Sequence, residues 1–114
     1  MPPDIKTAIV NAFLTGLNHA IRQGRFTFWA DRPDMKNQKT LDLLQYTIKD
    51  VTAQFAALKR ENYRKGPVED KRFPNDQELW HFRKMIDAYD IYMKVKWIKS
   101  QDWFIGISFH ENEE

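Results

Sequence analysis

The sequence contains no cysteine among its 114 residues. This absence excludes a disulfide scaffold, a thiolate zinc site, an iron–sulfur cluster and a cysteine nucleophile. Long apolar stretches are missing too, because no uninterrupted run approaches the roughly 20 residues of a membrane-spanning helix. The N-terminus also lacks the basic segment and apolar run of a signal peptide. Together these absences predict a soluble, cytoplasmic protein.

Negative charge is slightly scarcer than positive charge: the sequence has 16 Asp and Glu and 18 Lys and Arg, which gives a net charge of +2. The length predicts one domain, residues 1–114, that buries about two thirds of its unfolded surface. The charges are segregated: residues 83–99 carry five basic and two acidic side chains, and three of the last four residues are Glu. A basic patch of this kind either attracts a polyanion or is an ordinary solvated surface.

The N-terminal half has a helical pattern. Apolar residues at three- and four-residue steps predict an amphipathic helix that starts after Asp4 and stops at Gly24. Residues 25–29 are aromatic and β-branched and favour one short strand. A second helical piece begins at Thr40, and Thr47, with an acidic residue three positions later, predicts a capping box that starts a third helix.

The C-terminal half has a different pattern. Residues 61–76 hold one glycine, two prolines and eight charged side chains, which predicts a long loop. Three runs of strand length follow at 79–86, 91–98 and 103–110, and their short connections predict antiparallel hairpins. The predicted fold class is α+β, with N-terminal helices packed on one face of an antiparallel sheet that ends in a three-stranded meander.

Strict alternation assigns the residues of these three strands to two faces. The predicted core face carries Trp80, Phe82, Ile86, Ile91, Met93, Val95, Trp97, Trp103, Ile105, Ile107 and Phe109. The predicted open face carries Leu79, His81, Arg83, Met85, Tyr92, Lys94, Lys96, Ile98, Phe104, Gly106, Ser108 and His110. A four-residue first connection would place Arg83 opposite Lys94. A three-residue second connection would place Tyr92 opposite His110 and Lys94 opposite Ser108.

The open face would therefore gather two histidines, a tyrosine, two lysines and an arginine. Because like charges across a ladder destabilise it, a cationic cluster without matching carboxylates indicates an anionic ligand. Such a face could cleave RNA without a metal or another cofactor. A base would remove the proton of the ribose 2′-OH, an acid would protonate the leaving 5′ oxygen, and cations would hold the charge of the phosphorane. Imidazole serves either proton-transfer role near neutral pH.

Four segments of the chain carry a family resemblance through their order and spacing. They are residues 61–67, 79–82, 91–94 and 107–111, which read ENYRKGP, LWHF, IYMK and ISFHE. They resemble the MqsR-like toxin family, and the resemblance extends from about Leu41 to Glu113. Members of this family are small, ribosome-independent mRNA interferases with a RelE-like fold, the toxin half of a type II toxin-antitoxin pair.

The resemblance implies a metal-independent mRNA endonuclease toxin that pairs with a cognate antitoxin protein. The family's loop lysine falls on Lys65 and its tyrosine on Tyr92. Its glutamine after the strand tryptophan falls on His81, and its C-terminal lysine falls on His110. The four residues Lys65, His81, Tyr92 and His110 are the implied catalytic set.

Each polar residue of this set has a role in the hypothesis. His81 and His110 are the acid and base candidates, and Tyr92 donates a hydrogen bond to the phosphate or stacks on a base. Lys65 and Lys94 would clamp the phosphate. The predicted RNA-binding residues beyond the catalytic set are Arg83, Lys94 and Lys96.

Two other functions fit the same residues. The open face could belong to a non-catalytic accessory protein, such as one encoded by a prophage, that holds nucleic acid or an acidic protein. It could also be a homodimer interface, and its Lys and Arg residues could protect a strand edge from pairing. A neighbouring reading frame for a helix-turn-helix protein would favour the toxin, whereas phage structural or regulatory neighbours would favour the accessory protein.

Overall fold

The computed structural model describes residues 5–113, which form an α+β fold of three α-helices and a five-stranded mixed sheet. The helices are α1 (Ile5–Arg22), α2 (Lys36–Leu44) and α3 (Ile48–Ala56). The strands are β1 (Phe26–Phe28), β2 (Tyr63–Glu69), β3 (Gln77–Ile86), β4 (Tyr89–Ile98) and β5 (Trp103–Glu111). The predicted α+β class is confirmed. Within residues 5–113, no helix is long and apolar enough to cross a membrane.

The strands lie in the order β1-β5-β4-β3-β2. Strands β2 to β5 pair antiparallel, and β3, β4 and β5 form the predicted meander. The prediction of a wholly antiparallel sheet is wrong at one edge, because β1 pairs parallel with β5. Parallel neighbours need a long crossover, and here α2, α3 and three strands separate the two in the chain.

The helices begin close to where local sequence signals place them. Helix α1 is confirmed from Ile5 onward, whereas its predicted acidic start, Asp4, lies outside the described residues. The capping box of α3 is present: the Thr47 hydroxyl accepts from the Asp50 N–H at 3.2 Å, and the Asp50 carboxylate accepts from the Thr47 N–H at 2.8 Å. Helix α2 starts at Lys36, four residues before the predicted Thr40.

The prediction of a loop over 61–76 is wrong for its first half, since Tyr63–Glu69 form the edge strand β2. An edge strand tolerates Pro67 because its outer side needs no ladder hydrogen bond. The register with β3 shifts on both sides of Lys65, which lies opposite His81. Gly66 is required here: its φ is 134°, and a Cβ would lie 2.9 Å from the Leu79 carbonyl oxygen.

The connection between β3 and β4 is tighter than predicted. A two-residue turn, Asp87 and Ala88, with φ of 50° and 69°, pairs Ile86 with Tyr89. The register therefore moves by two residues, and Lys94 lies opposite His81 instead of Arg83. A shift by two keeps every side chain on its predicted face.

A bulge in β5 changes which face of the sheet the side chains of that strand occupy. Tyr92 lies opposite His110 and Lys94 opposite Ser108, as predicted, but Val95 lies opposite Gly106, which leaves Ile107 unpaired with β4. One extra residue inverts the alternation on the far side of the bulge. The predicted faces are therefore wrong for Trp103, Phe104, Ile105 and Gly106. Phe104 is buried and stacks on Trp97 with ring centroids 5.8 Å apart.

The core lies between the sheet and the helices. Phe13 of α1 stacks on Trp80 of β3 with centroids 4.0 Å apart. Phe55 of α3 packs against Phe26 and Phe109. Trp80 and the other predicted core residues of β3 and β4 are buried or packed against this cluster. The face of the sheet that bears His81 points away from the helices.

Candidate functional site

Three rings cross the open face of the sheet in one row. His81 on β3, Tyr92 on β4 and His110 on β5 have successive ring centroids 5.8 and 5.4 Å apart. The His81 Nδ1 atom lies 2.5 Å from the Tyr92 hydroxyl oxygen. The structure therefore brings together the two histidines and the tyrosine of the hypothesis, with the phenol between the imidazoles.

The row lies in a cavity of about 450 Å³, called the imidazole cavity below. Its walls are formed by Arg64, Lys65, His81, Arg83, Tyr92, His110, Asn112 and Glu113. Lys65 reaches this cavity from the edge strand, where the register sets it opposite His81. The basic side chains outnumber the single carboxylate, so the cavity suits an anion.

His81 is a neutral imidazole at neutral pH. Burial lowers its pKa to about 4, and the charges of Lys94 and Lys65 add to the lowering. A neutral imidazole can accept a proton on its unprotonated ring nitrogen, so His81 suits the role of base better than that of acid. Burial also raises the pKa of Tyr92, although the nearby Arg32 charge opposes this, so the phenol keeps its proton.

The contact between His81 and Tyr92 allows two tautomers. With hydrogen on Nδ1, the imidazole donates to the phenol oxygen, Nε2 is a free base, and the Tyr92 hydroxyl can donate to a ligand. With hydrogen on Nε2, the Tyr92 hydroxyl donates to Nδ1. The first tautomer offers both a base and a donor to an anion in the cavity.

His110 has different surroundings. Its Nδ1 donates to the Glu111 carbonyl oxygen at 2.9 Å, since a carbonyl can only accept, and Nε2 is the nitrogen left to exchange a proton. Asp34 and Glu113 lie within electrostatic reach. Hydrogen bonds from Lys36 are the main cause of the lowered pKa of both carboxylates, and the His110 charge contributes in each case. Thus His110 faces carboxylates, whereas His81 faces ammonium groups.

Lys94 lies between the outer strands of the site, opposite His81 on one side and Ser108 on the other. Burial lowers its pKa, and the charges of Arg32 and Lys96 lower it further. The hypothesis that Lys94 clamps a phosphate is compatible with this position. An anion near Lys94 would relieve the repulsion from its cationic neighbours.

Lys96 is not free for the predicted RNA contact. Its ammonium nitrogen lies 2.9 Å from an Asp70 carboxylate oxygen, and the side chains are only 10% and 7% exposed. Hydrogen bonds from Arg72 and Lys96 hold the pKa of Asp70 far below its usual range. This pair fixes the connection between β2 and β3 to the sheet. Arg83, in contrast, lines the imidazole cavity while its guanidinium pairs with Asp90.

Arg32 is a functional candidate that the sequence analysis missed. It lies in the loop between β1 and α2 and donates to the Ser108 hydroxyl at 2.8 Å and the Ile107 carbonyl at 3.2 Å. The Asn37 side chain holds this loop on β5. The amide of Asn37 donates to the carbonyl oxygens of Trp29 and Ile107 and accepts from the Phe109 N–H. The loop signal in the sequence was clear, but nothing in it indicated that the loop folds back over β5.

The site therefore offers a neutral imidazole, a second imidazole of fixed tautomer, a phenol and several cations. These groups can move protons and hold a phosphate. Among residues 5–113, no three His, Cys, Asp or Glu side chains converge as ligands for a metal ion. Comparison of the chain with protein-family models, curated proteins and solved structures finds no match.

Proposed function

We propose that the protein is a metal-independent mRNA endonuclease, the interferase toxin of a type II toxin-antitoxin system. The observation that carries the proposal is the row of His81, Tyr92 and His110 within a cationic cavity. The four segments that resemble the MqsR-like family include all three residues. A RelE-like fold and a cognate antitoxin belong to the same proposal, which the helices on one face of the sheet and the cavity on the other support.

The contrast between the two imidazoles suggests their roles. His81 Nε2 takes the proton of the ribose 2′-OH, and the 2′ oxygen forms a bond to phosphorus. The bond between phosphorus and the 5′ oxygen breaks, and His110, acting from its imidazolium form with hydrogen on both ring nitrogens, gives its Nε2 proton to that oxygen. The products are a 2′,3′-cyclic phosphate and a 5′-hydroxyl, with no change in oxidation state.

The cations stabilise the charge that develops on the phosphorane oxygens. Lys65 approaches from β2, Lys94 from β4 and Arg32 from the loop over β5. The Tyr92 hydroxyl donates to a non-bridging oxygen. Donors held in place before the reaction stabilise the transition state more than mobile water does.

The proposal predicts that His81→Ala and His110→Ala each reduce RNA cleavage by at least about a hundredfold, because each removes one proton-transfer group. Purified protein is incubated with a long single-stranded RNA in EDTA, and the ends of the products are mapped. The expected ends are a 2′,3′-cyclic phosphate and a 5′-hydroxyl. Growth inhibition on expression gives a second readout.

His19→Ala is the matched control, since His19 is the third histidine and is exposed on α1, away from the cavity. It should cleave RNA like the unmodified protein. Unchanged cleavage in both His81→Ala and His110→Ala would reject the proposed roles. RNA binding without cleavage by the unmodified protein would favour the non-catalytic accessory function instead.

A further inference from the structure

A second cavity, of about 680 Å³, opens beside the imidazole cavity at the edge of the sheet. Its charged walls are Lys59, Arg64, Arg83 and Lys84, with Glu61 and Asp90. We call it the edge notch. Its basic side chains outnumber its acidic ones by two.

The notch exists because β2 is shorter than β3. Strand β2 begins at Tyr63, opposite Phe82, so no strand of the described chain covers that side of β3 beyond Phe82. The chain before β2 instead forms a 3₁₀ turn at Arg60–Asn62. The gap between this turn and the end of β3 is the notch.

The charges in the notch repel one another. Lys84 is partly buried at the end of β3, and both burial and the Lys59 charge lower its pKa. No carboxylate of residues 5–113 forms an ion pair with the ammonium group of Lys59 or of Lys84. An anion bound between these lysines would relieve the repulsion.

The notch is continuous with the imidazole cavity, because Arg64 and Arg83 line both. His81 and Lys84 are three residues apart on β3, so their Cα atoms lie about 10 Å apart and their side chains point to opposite faces of the strand. Arg83 lies between them in the sequence and lines both cavities, so it marks the path round the free edge of β3. An extended strand of RNA that leaves the imidazole cavity past Arg83 and turns round this edge brings a further phosphate to the notch.

We propose that the edge notch binds a backbone phosphate of the RNA, beyond the scissile phosphate, through Lys59 and Lys84. The inference rests on the proposed function, since it extends the same RNA beyond the imidazole cavity. A peptide strand could instead pair with the free edge of β3. The shared arginines and the unpaired lysines favour the phosphate.

The test measures binding separately from cleavage. A fluorescein-labelled 2′-O-methyl RNA 12-mer of mixed sequence lacks the attacking hydroxyl, so binding is measured by fluorescence anisotropy without cleavage. The variant K59Q/K84Q should bind the 12-mer about fivefold more weakly or worse. The slope of log affinity against log salt should fall by about 0.7 for each lost phosphate contact.

The matched control is K49Q/K71Q, which removes the same charge from two exposed lysines that line neither cavity. It should bind almost like the unmodified protein. Because Lys84 is partly buried, the single variant K59Q, at an exposed position, tests the notch with the fold intact. A smaller decrease in affinity is expected for K59Q than for K59Q/K84Q.

Equal binding by K59Q/K84Q and K49Q/K71Q would overturn the inference even if the protein cleaves RNA through His81. Binding of poly-glutamate that depends on Lys59 and Lys84, without such dependence for the 12-mer, would overturn it in favour of an acidic protein. Lysine-dependent binding of the 12-mer by a protein that does not cleave RNA would support the notch and reject the endonuclease.

Discussion

The two histidines of the site have different surroundings. Burial, with the charges of Lys94 and Lys65 in addition, lowers the pKa of His81 and keeps it neutral, whereas Asp34 and Glu113 lie near His110. This contrast is the basis of the different roles that we propose for the two imidazoles.

The same pKa predicts how stability depends on pH. The pKa of His81 is about 4 in the folded protein, against 6.5 for an ordinary histidine. Between these values the unfolded chain binds more protons, so the contribution of His81 to stability is present above pH 6.5 and is lost as the pH falls toward 4. The free energy of unfolding in urea should decrease from pH 6.5 to 4.5, and the decrease should be smaller in His81→Gln.

His19→Gln provides the comparison for this measurement, because His19 is exposed on α1 and lines neither cavity. Its pH dependence should match that of the unmodified protein. If His81→Gln shows the same decrease as His19→Gln, the imidazole of His81 is not held neutral by its surroundings.

A second prediction about a single residue concerns Arg32, in the loop over β5. Arg32→Lys keeps the charge but loses the guanidinium, whose Nη1 donates to Ser108 and Ile107 while its Nη2 pairs with Asp34, and cleavage should fall roughly tenfold or more. The thermal midpoint should change little, since the loop is also held by Asn37. The control is Arg22→Lys, at an exposed position on α1. Equal cleavage by both variants would remove Arg32 from the site.

At the scale of elements, the edge strand positions Lys65 through Gly66. Gly66→Ala should lower the free energy of unfolding by roughly 2 kcal/mol, because a Cβ would meet the Leu79 carbonyl at 2.9 Å and φ is 134°. The measurement is the midpoint of urea unfolding, together with RNA cleavage, which should fall as Lys65 is displaced. Gly24→Ala has a positive φ of 76° but nothing within 4 Å, so it should cost about 1 kcal/mol. Similar losses in both variants would show that the contact with β3 is unimportant.

In regular strands, the sequence pattern suffices to predict which face of the sheet a side chain occupies. Alternation places His81, Tyr92 and Lys94 correctly because β3 and β4 are regular and one face is buried. It fails at Phe104 and Gly106, because the bulge at Ile107 has no signature that alternation can detect. Strand β2 was predicted as a loop because glycine and proline usually end elements, whereas an edge tolerates both.

Across the whole molecule, features that depend on distant contacts could not be predicted. The sequence assigns Lys96 to the open face, which is correct, but its burial against Asp70 depends on how the connection after β2 folds back. The parallel pairing of β1 with β5 and the position of Arg32 over Ser108 depend in the same way on long-range contacts. Local spacing therefore predicts which chemical groups share a face, and tertiary contacts decide which of them remain available.

The buried side chain of Asn37 replaces the missing end of β1. Strand β1 pairs with β5 only as far as Gly106, and beyond it Asn37 and Thr40 of α2 accept from the N–H groups of Phe109 and Glu111. These amide protons can exchange with solvent only when α2 separates from the strand. The exchange rate of these amide protons, which flank His110, is thus governed by the opening of the short helix α2 and not by fraying of the sheet itself.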